Sequence, residues 1–293
     1  MKHSYEVQVV HRVGNIVGEC PLWHAREQAL YWIDARRPAL HRMNAGGDFD
    51  YWELPHKIGS FVFREKGGLV AAMQIGFCKV DLEPLLVRPI VDPEPDKPEN
   101  RMNDGKCDRR GRFWCGSRDP TDHNPGGALY RLDPDFRCNT MDTGFIVLNG
   151  LAFSPDDRTL VCGCTRGDVI YRYDFDLESG AISGRRDFLR TDGLPWQVDG
   201  ATFDAAGYYW CALLGGGAVG RFDPDGRLDR LVQLPVQHPT MCSFGGEDLD
   251  ILYVTSASVF LSPAEKAAQP LAGSLFAVHG LGCRGTPEPF FAA

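Results

Sequence analysis

The run Leu30-Tyr31-Trp32-Ile33, followed a short turn later by Leu40-His41-Arg42-Met43-Asn44, is one copy of a unit that returns along the whole chain. Its first half reappears as Leu69-Val70-Ala71, Phe113-Trp114-Cys115, Leu160-Val161-Cys162, Tyr209-Trp210-Cys211 and Tyr253-Val254-Thr255. With Trp32, Val70, Trp114, Val161, Trp210 and Val254 as landmarks the steps are 38, 44, 47, 49 and 44 residues. The second half returns as alternating runs such as Phe77-Cys78-Lys79-Val80-Asp81 and Ile170-Tyr171-Arg172-Tyr173-Asp174. Alternation with period two marks a half-buried strand. Ser154-Pro155-Asp156-Asp157 and Asp223-Pro224-Asp225-Gly226 punctuate the runs, proline presetting φ and aspartate bonding its own backbone.

Upstream of several aromatic runs lies a third segment, as in Gly150-Leu151-Ala152-Phe153 and Gly200-Ala201-Thr202-Phe203. Three strands and a more variable fourth, repeated six times without helical periodicity, predict an all-β six-bladed propeller with four-stranded antiparallel blades. A β-sandwich would not produce six equivalent copies. Tyr5-Glu6-Val7-Gln8-Val9-Val10 has no blade of its own and is expected to close the ring beside Leu275–Val278. Residues 82–100, rich in proline and acids, read as a solvated connection, and residues 1–293 as a single propeller domain.

Composition narrows the partners. Hydrophobic residues make up 43% and charged residues 24%, ordinary for a globular protein, and no apolar run approaches the roughly 20 residues of a membrane span. A net charge of −8 without a basic tract disfavours nucleic acid. Small solutes remain as ligands, for a monomer or weak homo-oligomer. The start, Met1 to Gln8, lacks the apolar stretch of a secretory leader, so the expected location is cytoplasmic. The ten cysteines are dilute and sit in apolar runs, which reads as reduced, buried thiols; Cys162-Gly163-Cys164 has neither zinc-ribbon nor redox spacing.

Polar residues interrupt the apolar pattern at related places. Stepping back from Tyr31, Phe113, Leu160 and Tyr209 by 12, 10, 11 and 10 residues reaches Glu19, Asn103, Asn149 and Asp199. Each begins the first strand of its blade, the strand that lines a propeller's channel, so their oxygens should converge near one face. Carboxylate and amide oxygens suit hard cations, and two carboxylates meeting without a cation would repel. Asn149-Gly150 or Asp199-Gly200 alone would read as a turn sequence; three such sites in one register favour the ligand reading.

The same residues carry a family resemblance. Gly18-Glu19-Cys20-Pro21-Leu22-Trp23, Arg101-Met102-Asn103-Asp104-Gly105-Lys106, Asn149 to Asp156, Val198-Asp199-Gly200 and Phe244-Gly245-Gly246 stand in the order and spacing that resemble the gluconolactonase/regucalcin (senescence marker protein) family. That resemblance implies one divalent metal held by Glu19, Asn149 and Asp199, a substrate-binding pair in Arg101 and Asn103, and hydrolysis of a sugar lactone. The metal is left open among Ca, Zn, Mn, Mg and Fe. The chain departs from the family at Val198 and Met102, where relatives carry proline, and in the loop Arg118-Asp119-Pro120-Thr121-Asp122-His123, where some carry a substrate-touching glutamate.

In such a site the cation would polarise the lactone carbonyl and acidify water, with Asp199 as candidate catalytic base and Asp104 in reserve. Strand alternation should turn Asp104 away from Asn103. Arg101 could fix hydroxyls or stabilise the oxyanion. Trp23 and Trp196 flank the expected mouth but read as core, His24, His41, His56 and His238 lack ligand spacing, and no Gly-x-Ser-x-Gly elbow occurs. Two other functions stay open: a non-enzymatic calcium-binding or scaffold propeller, and an organophosphate hydrolase using the same metal site.

Overall fold

Alternating runs of five to ten residues, separated by turns, can bury one face only by stacking sheet on sheet, and the computed structural model shows this arrangement over the residues it describes, 4–293. Residues 1–3, which belong to the leader reading, lie outside them. Six four-stranded antiparallel sheets follow one another around an axis as the blades of a propeller: residues 18–53, 58–91, 101–145, 148–190, 197–233, and 239–279 completed by Glu6–His11. Each begins at the axis. The inner strands Gly18–His24, Ile58–Phe63, Arg101–Cys107, Leu148–Phe153, Gln197–Phe203 and Pro239–Gly245 lie against one another in a closed ring. No helix among the described residues is long and apolar enough to cross a membrane.

The predicted closure is present: Glu6–His11 pairs antiparallel with Leu275–His279, Val7 opposite Val278. Residues 82–100 depart from expectation. Leu85–Val91 is the outer strand of blade 2, and an edge strand is where a proline such as Pro89 is tolerated. Within the same segment Glu94 is buried and accepts hydrogen bonds from Ser117 Oγ at 2.9 Å and Tyr130 Oη at 3.0 Å.

Between blades the core is apolar and aromatic, with Trp32, Trp114 and Trp210 fully buried. Two of these indoles are anchored alike. Trp114 Nε1 donates to Asp108 at 2.8 Å and Trp210 Nε1 to Asp204 at 3.0 Å. The other oxygen of each aspartate accepts backbone N–H groups of the following turn, from Arg110 and Arg112 in one case and Ala206 and Tyr208 in the other. Arg112 and Arg221 complete the pairs, so both buried carboxylates are satisfied, as low-dielectric surroundings require.

All six inner strands slip register near their start. In blade 3, for example, Met102 pairs with Ser117 and Gly105 with Cys115, leaving Asn103 and Asp104 opposite Gly116 alone. Such bulges re-aim side chains at barrel and propeller rims. At the far end of the channel the C-terminal segment crosses over, Glu288 accepting from Lys106 Nζ at 2.7 Å on blade 3 and from Ser243 Oγ at 3.3 Å on blade 6.

Candidate metal and substrate site

At the end where the inner strands begin, a cavity of about 110 Å³ opens on the axis. Glu19, Asn103, Asp104, Asn149 and Asp199 line it from four inner strands, so the four residues named from the repeat are brought together. Arg101 lines it as well.

Their registers are not one but two. Glu19 and Asn149 are the last paired residues before the bulge, opposite Ile33 and Gly163, whereas Asn103 and Asp199 are the first residues inside it. The unequal backward steps of 12, 10, 11 and 10 come from the landmarks and not from this stagger: Tyr31 pairs just beyond its bulge, while Phe113, Leu160 and Tyr209 pair further along. The bulge also overturns the expectation for Asp104. With two residues set against one, alternation fails, and Asn103 and Asp104 both face the cavity.

Nor are Asn149-Gly150 and Asp199-Gly200 turns. Gly150 adopts φ +63°, and a Cβ there would stand 2.4 Å from Tyr209 Oη, whose hydroxyl donates to the Gly150 carbonyl at 2.7 Å. A Cβ on Gly200 would lie 2.2 Å from Met241. The glycines let neighbouring inner strands approach closely enough for the side chains beside them to share one cavity.

Hydrogen bonds fix the amides. Asn149 Nδ2 donates to Thr165 Oγ1 at 2.8 Å, and that hydroxyl donates to the Val198 carbonyl at 2.9 Å. Asn149 Oδ1 is thereby turned the other way and accepts from Asn103 Nδ2 at 2.7 Å. The second hydrogen of Asn103 Nδ2 goes to the Leu148 carbonyl at 2.9 Å, leaving Asn103 Oδ1 as an acceptor. Asp104 Oδ2 accepts the Leu151 N–H at 2.9 Å, while its Oδ1 has no partner.

Electrostatically the floor is crowded with negative charge. Burial, then the charges of Asp199 and Asp104, hold the Glu19 carboxyl well above the usual carboxylate range, with Arg118 opposing. Asp199 is raised by burial and then by Asp104, again against Arg118, and burial pushes Asp104 up to about 6 despite the Leu151 N–H. Among the described residues no side-chain donor reaches the Glu19 or Asp199 carboxylate. Two carboxylates and an oriented amide oxygen, short of positive charge, are a donor set that fits a divalent cation. Among the described residues no three His, Cys, Asp or Glu side chains form a metal-binding group; the third donor of this set is the amide oxygen of Asn149.

Several cavity residues had no signal in the sequence. Thr165 follows a strand as part of a single 3-10 turn, and Arg36, Lys57, Arg118 and Arg166 are rim residues of four different blades. Arg118 stands in the divergent 116–123 loop and is ion-paired with Asp122. Trp23 stacks on Tyr253 with centroids 6.0 Å apart and Trp196 lies against Phe222 at 6.3 Å, so both pack outside the cavity, as expected. Among the described residues no histidine lines the cavity. All ten cysteines are free thiols.

Comparison with known proteins agrees with this architecture. The chain is 40% identical over 290 residues to 6-deoxy-6-sulfogluconolactonase of Pseudomonas putida, covering 98% of each. It is 34% identical over 279 residues to pentonolactonase XacC of Haloferax volcanii, covering 93% of each. Its fold superposes on the calcium-binding protein regucalcin of Agrobacterium tumefaciens with a TM-score of 0.94 and 25% identity, over 99% of this chain and 98% of that one. The sequence model describing the SMP-30/gluconolactonase/LRE-like region matches residues 17–258. The chain belongs to the SMP-30/gluconolactonase/LRE-like family.

Proposed function

We infer that the protein is a sugar lactonase whose cavity holds one divalent cation on Glu19, Asn149 and Asp199. The observation that carries this reading is the meeting of two poorly compensated carboxylates, Asp199 buried and Glu19 half-buried, with an oriented amide oxygen at the open end of the channel. Support comes from two relatives named as lactonases and from a superposed structure described as calcium-binding. Oxygen donors without imidazole or thiolate favour a hard ion, calcium, magnesium or manganese, with zinc and iron also able to accept them.

When bound, the cation supplies positive charge for the lactone carbonyl oxygen and lowers the pKa of water. The protein side chains do the rest. Asn103 Oδ1, its amide hydrogens already committed, accepts a sugar hydroxyl. Arg101, which makes no ion pair among the described residues, offers a forked set of donors to substrate oxygens. Asp199 takes the proton of the attacking water as the new C–O bond forms. The acyl bond to the ring oxygen then breaks, and the proton passes from Asp199 to that oxygen, giving the open hydroxy acid.

The test is turnover of five- and six-membered sugar lactones by protein stripped of metal and reloaded with single ions, measured against spontaneous opening. Acceleration is expected with at least one ion. An Asp199→Ala variant should stay folded, lose the ion and lose turnover by about 10²-fold or more. If every ion leaves hydrolysis at the spontaneous rate, the lactonase reading fails; if Asp199→Ala turns over normally, Asp199 is not the base.

A further inference from the structure

The chain as a whole is acidic, with 39 acidic against 31 basic side chains, yet the cavity rim has the opposite sign. Arg36, Lys57, Arg101, Arg118 and Arg166 converge there from the turns and strand ends of blades 1 to 4. Arg118 is paired with Asp122. Among the described residues the other four have no carboxylate within ion-pairing distance, and Arg166 meets only the side-chain oxygen of Gln197, at 3.0 Å. Elsewhere Arg88 and Arg186 sit on aspartates, while Arg12, Arg37, Arg158 and Arg284 are exposed and make no ion pair among the described residues, so what sets the rim apart is that its cations meet at one opening. The rim cations repel one another: burial, then the charges of Arg118 and Arg36, bring Arg101 down to about 10.

Compensation of the floor does not account for them. With a divalent cation on Glu19, Asn149 and Asp199, the three ionised carboxylates of the floor leave one negative charge, and Arg118 already bears on that floor. Unpaired cations held together at the entrance of a small cavity focus a positive potential outward. A neutral sugar lactone presents only hydroxyls to such a rim.

We propose that Arg36, Lys57 and Arg166, with Arg101, form an anion subsite, and that the lactone carries a strong acid group at the end of the sugar remote from the carbonyl. This rests on the lactonase reading for the orientation of substrate, carbonyl toward the carboxylate floor and anion at the rim. Guanidinium forks suit sulfonate, phosphate and carboxylate oxygens alike. The subsite therefore specifies a charge at the rim end of the sugar, and the three anions separate by experiment.

Metal-loaded full-length protein would be assayed on six-membered lactones of one hexonic acid carrying C6 hydroxyl, sulfonate, phosphate or carboxylate, at low and high salt. At least one charged lactone should exceed the neutral one in kcat/KM by about tenfold or more, mainly through KM, and the advantage should shrink with salt. The double variant Arg36→Gln/Arg166→Gln, at two exposed positions, should cut the charged-to-neutral ratio by about tenfold. Lys57→Gln, also exposed, gives an independent smaller loss. In parallel, calorimetry would measure binding of the open-chain C6-sulfonate acid and of gluconate, which needs no turnover. Equal kcat/KM for charged and neutral lactones, with a ratio the variants leave alone, overturns the subsite and leaves the lactonase standing. If no lactone is opened but the sulfonate acid binds about tenfold more tightly than gluconate and the double variant abolishes the difference, the subsite stands and the lactonase reading falls. If neither turnover nor binding discriminates, the subsite is refuted.

Discussion

Replacing Thr165 by valine tests whether the orientation of Asn149 matters to the cation. Thr165 lines the cavity but is only 4% exposed. Its hydroxyl accepts from Asn149 Nδ2 at 2.8 Å and donates to the Val198 carbonyl at 2.9 Å. Valine has the same shape, so no cavity opens and the change is confined to these two bonds. Each buried group left unpaired costs about 1–3 kcal/mol, so with two such groups metal-free protein should lose about 2–6 kcal/mol in urea unfolding followed by tryptophan fluorescence. The more telling loss concerns the metal. With its N–H released, the Asn149 amide is held only by the 2.7 Å bond from Asn103 Nδ2 to its Oδ1, and its orientation in the cavity is less firmly fixed. Removal of groups that orient a ligand typically weakens metal binding about 10–100-fold. Isothermal titration of stripped variant and parent with calcium, manganese and zinc measures this directly. A variant that shows the full stability loss yet binds every ion as the parent does would refute the assignment of Asn149 as a ligand held by Thr165.

Three further outcomes follow from geometry already described. Glu19, Asp104 and Asp199 all have raised carboxyl pKa values, Asp104 up to about 6, so metal-free folded protein holds more protons than unfolded chain above the ordinary range near 4; its Tm should fall between about pH 5 and pH 7.5 and recover when a divalent ion is added. A Tm that rises over that interval in stripped protein would contradict the charge balance given for the floor. Gly150→Ala combines a left-handed φ with a Cβ 2.4 Å from Tyr209 Oη and should cost about 2–3 kcal/mol of stability and weaken metal binding, whereas a neutral effect would show that the strands can part there freely. Asp204→Ala removes the Trp210 indole's partner and leaves buried Arg221 only Asp229, at 2.7 Å, and chemical denaturation should show a loss of about 3–5 kcal/mol; a loss below about 1 kcal/mol would mean that Asp229 alone suffices for Arg221.

The sixfold repeat was readable because aromatic landmarks and alternating runs report burial, and burial is what stacked blades share. The outer strand Leu85–Val91 escaped notice for the same reason: an exposed edge strand containing proline leaves no apolar periodicity. Glu19, Asn149 and Asp199 stood out because oxygen-bearing side chains broke an apolar pattern at matching places. Their stagger about the bulge did not, since a one-residue slip is a property of backbone pairing and writes no composition into the sequence. Arg118 and Arg166 were invisible for a different reason. Arginine in a turn is ordinary, and only the folded ring reveals that turns from separate blades face one another across an opening.

The inner-strand bulges have an evolutionary corollary. Glu19, Asn149 and Asp199 are delivered by strands whose glycines and register cannot change without moving the ring, while the side chains of Arg36, Lys57 and Arg166 are exposed. Mutation can rewrite these side chains one at a time at little cost to folding, so descendants of one ancestral propeller can exchange one acid for another, or none, above an inherited floor.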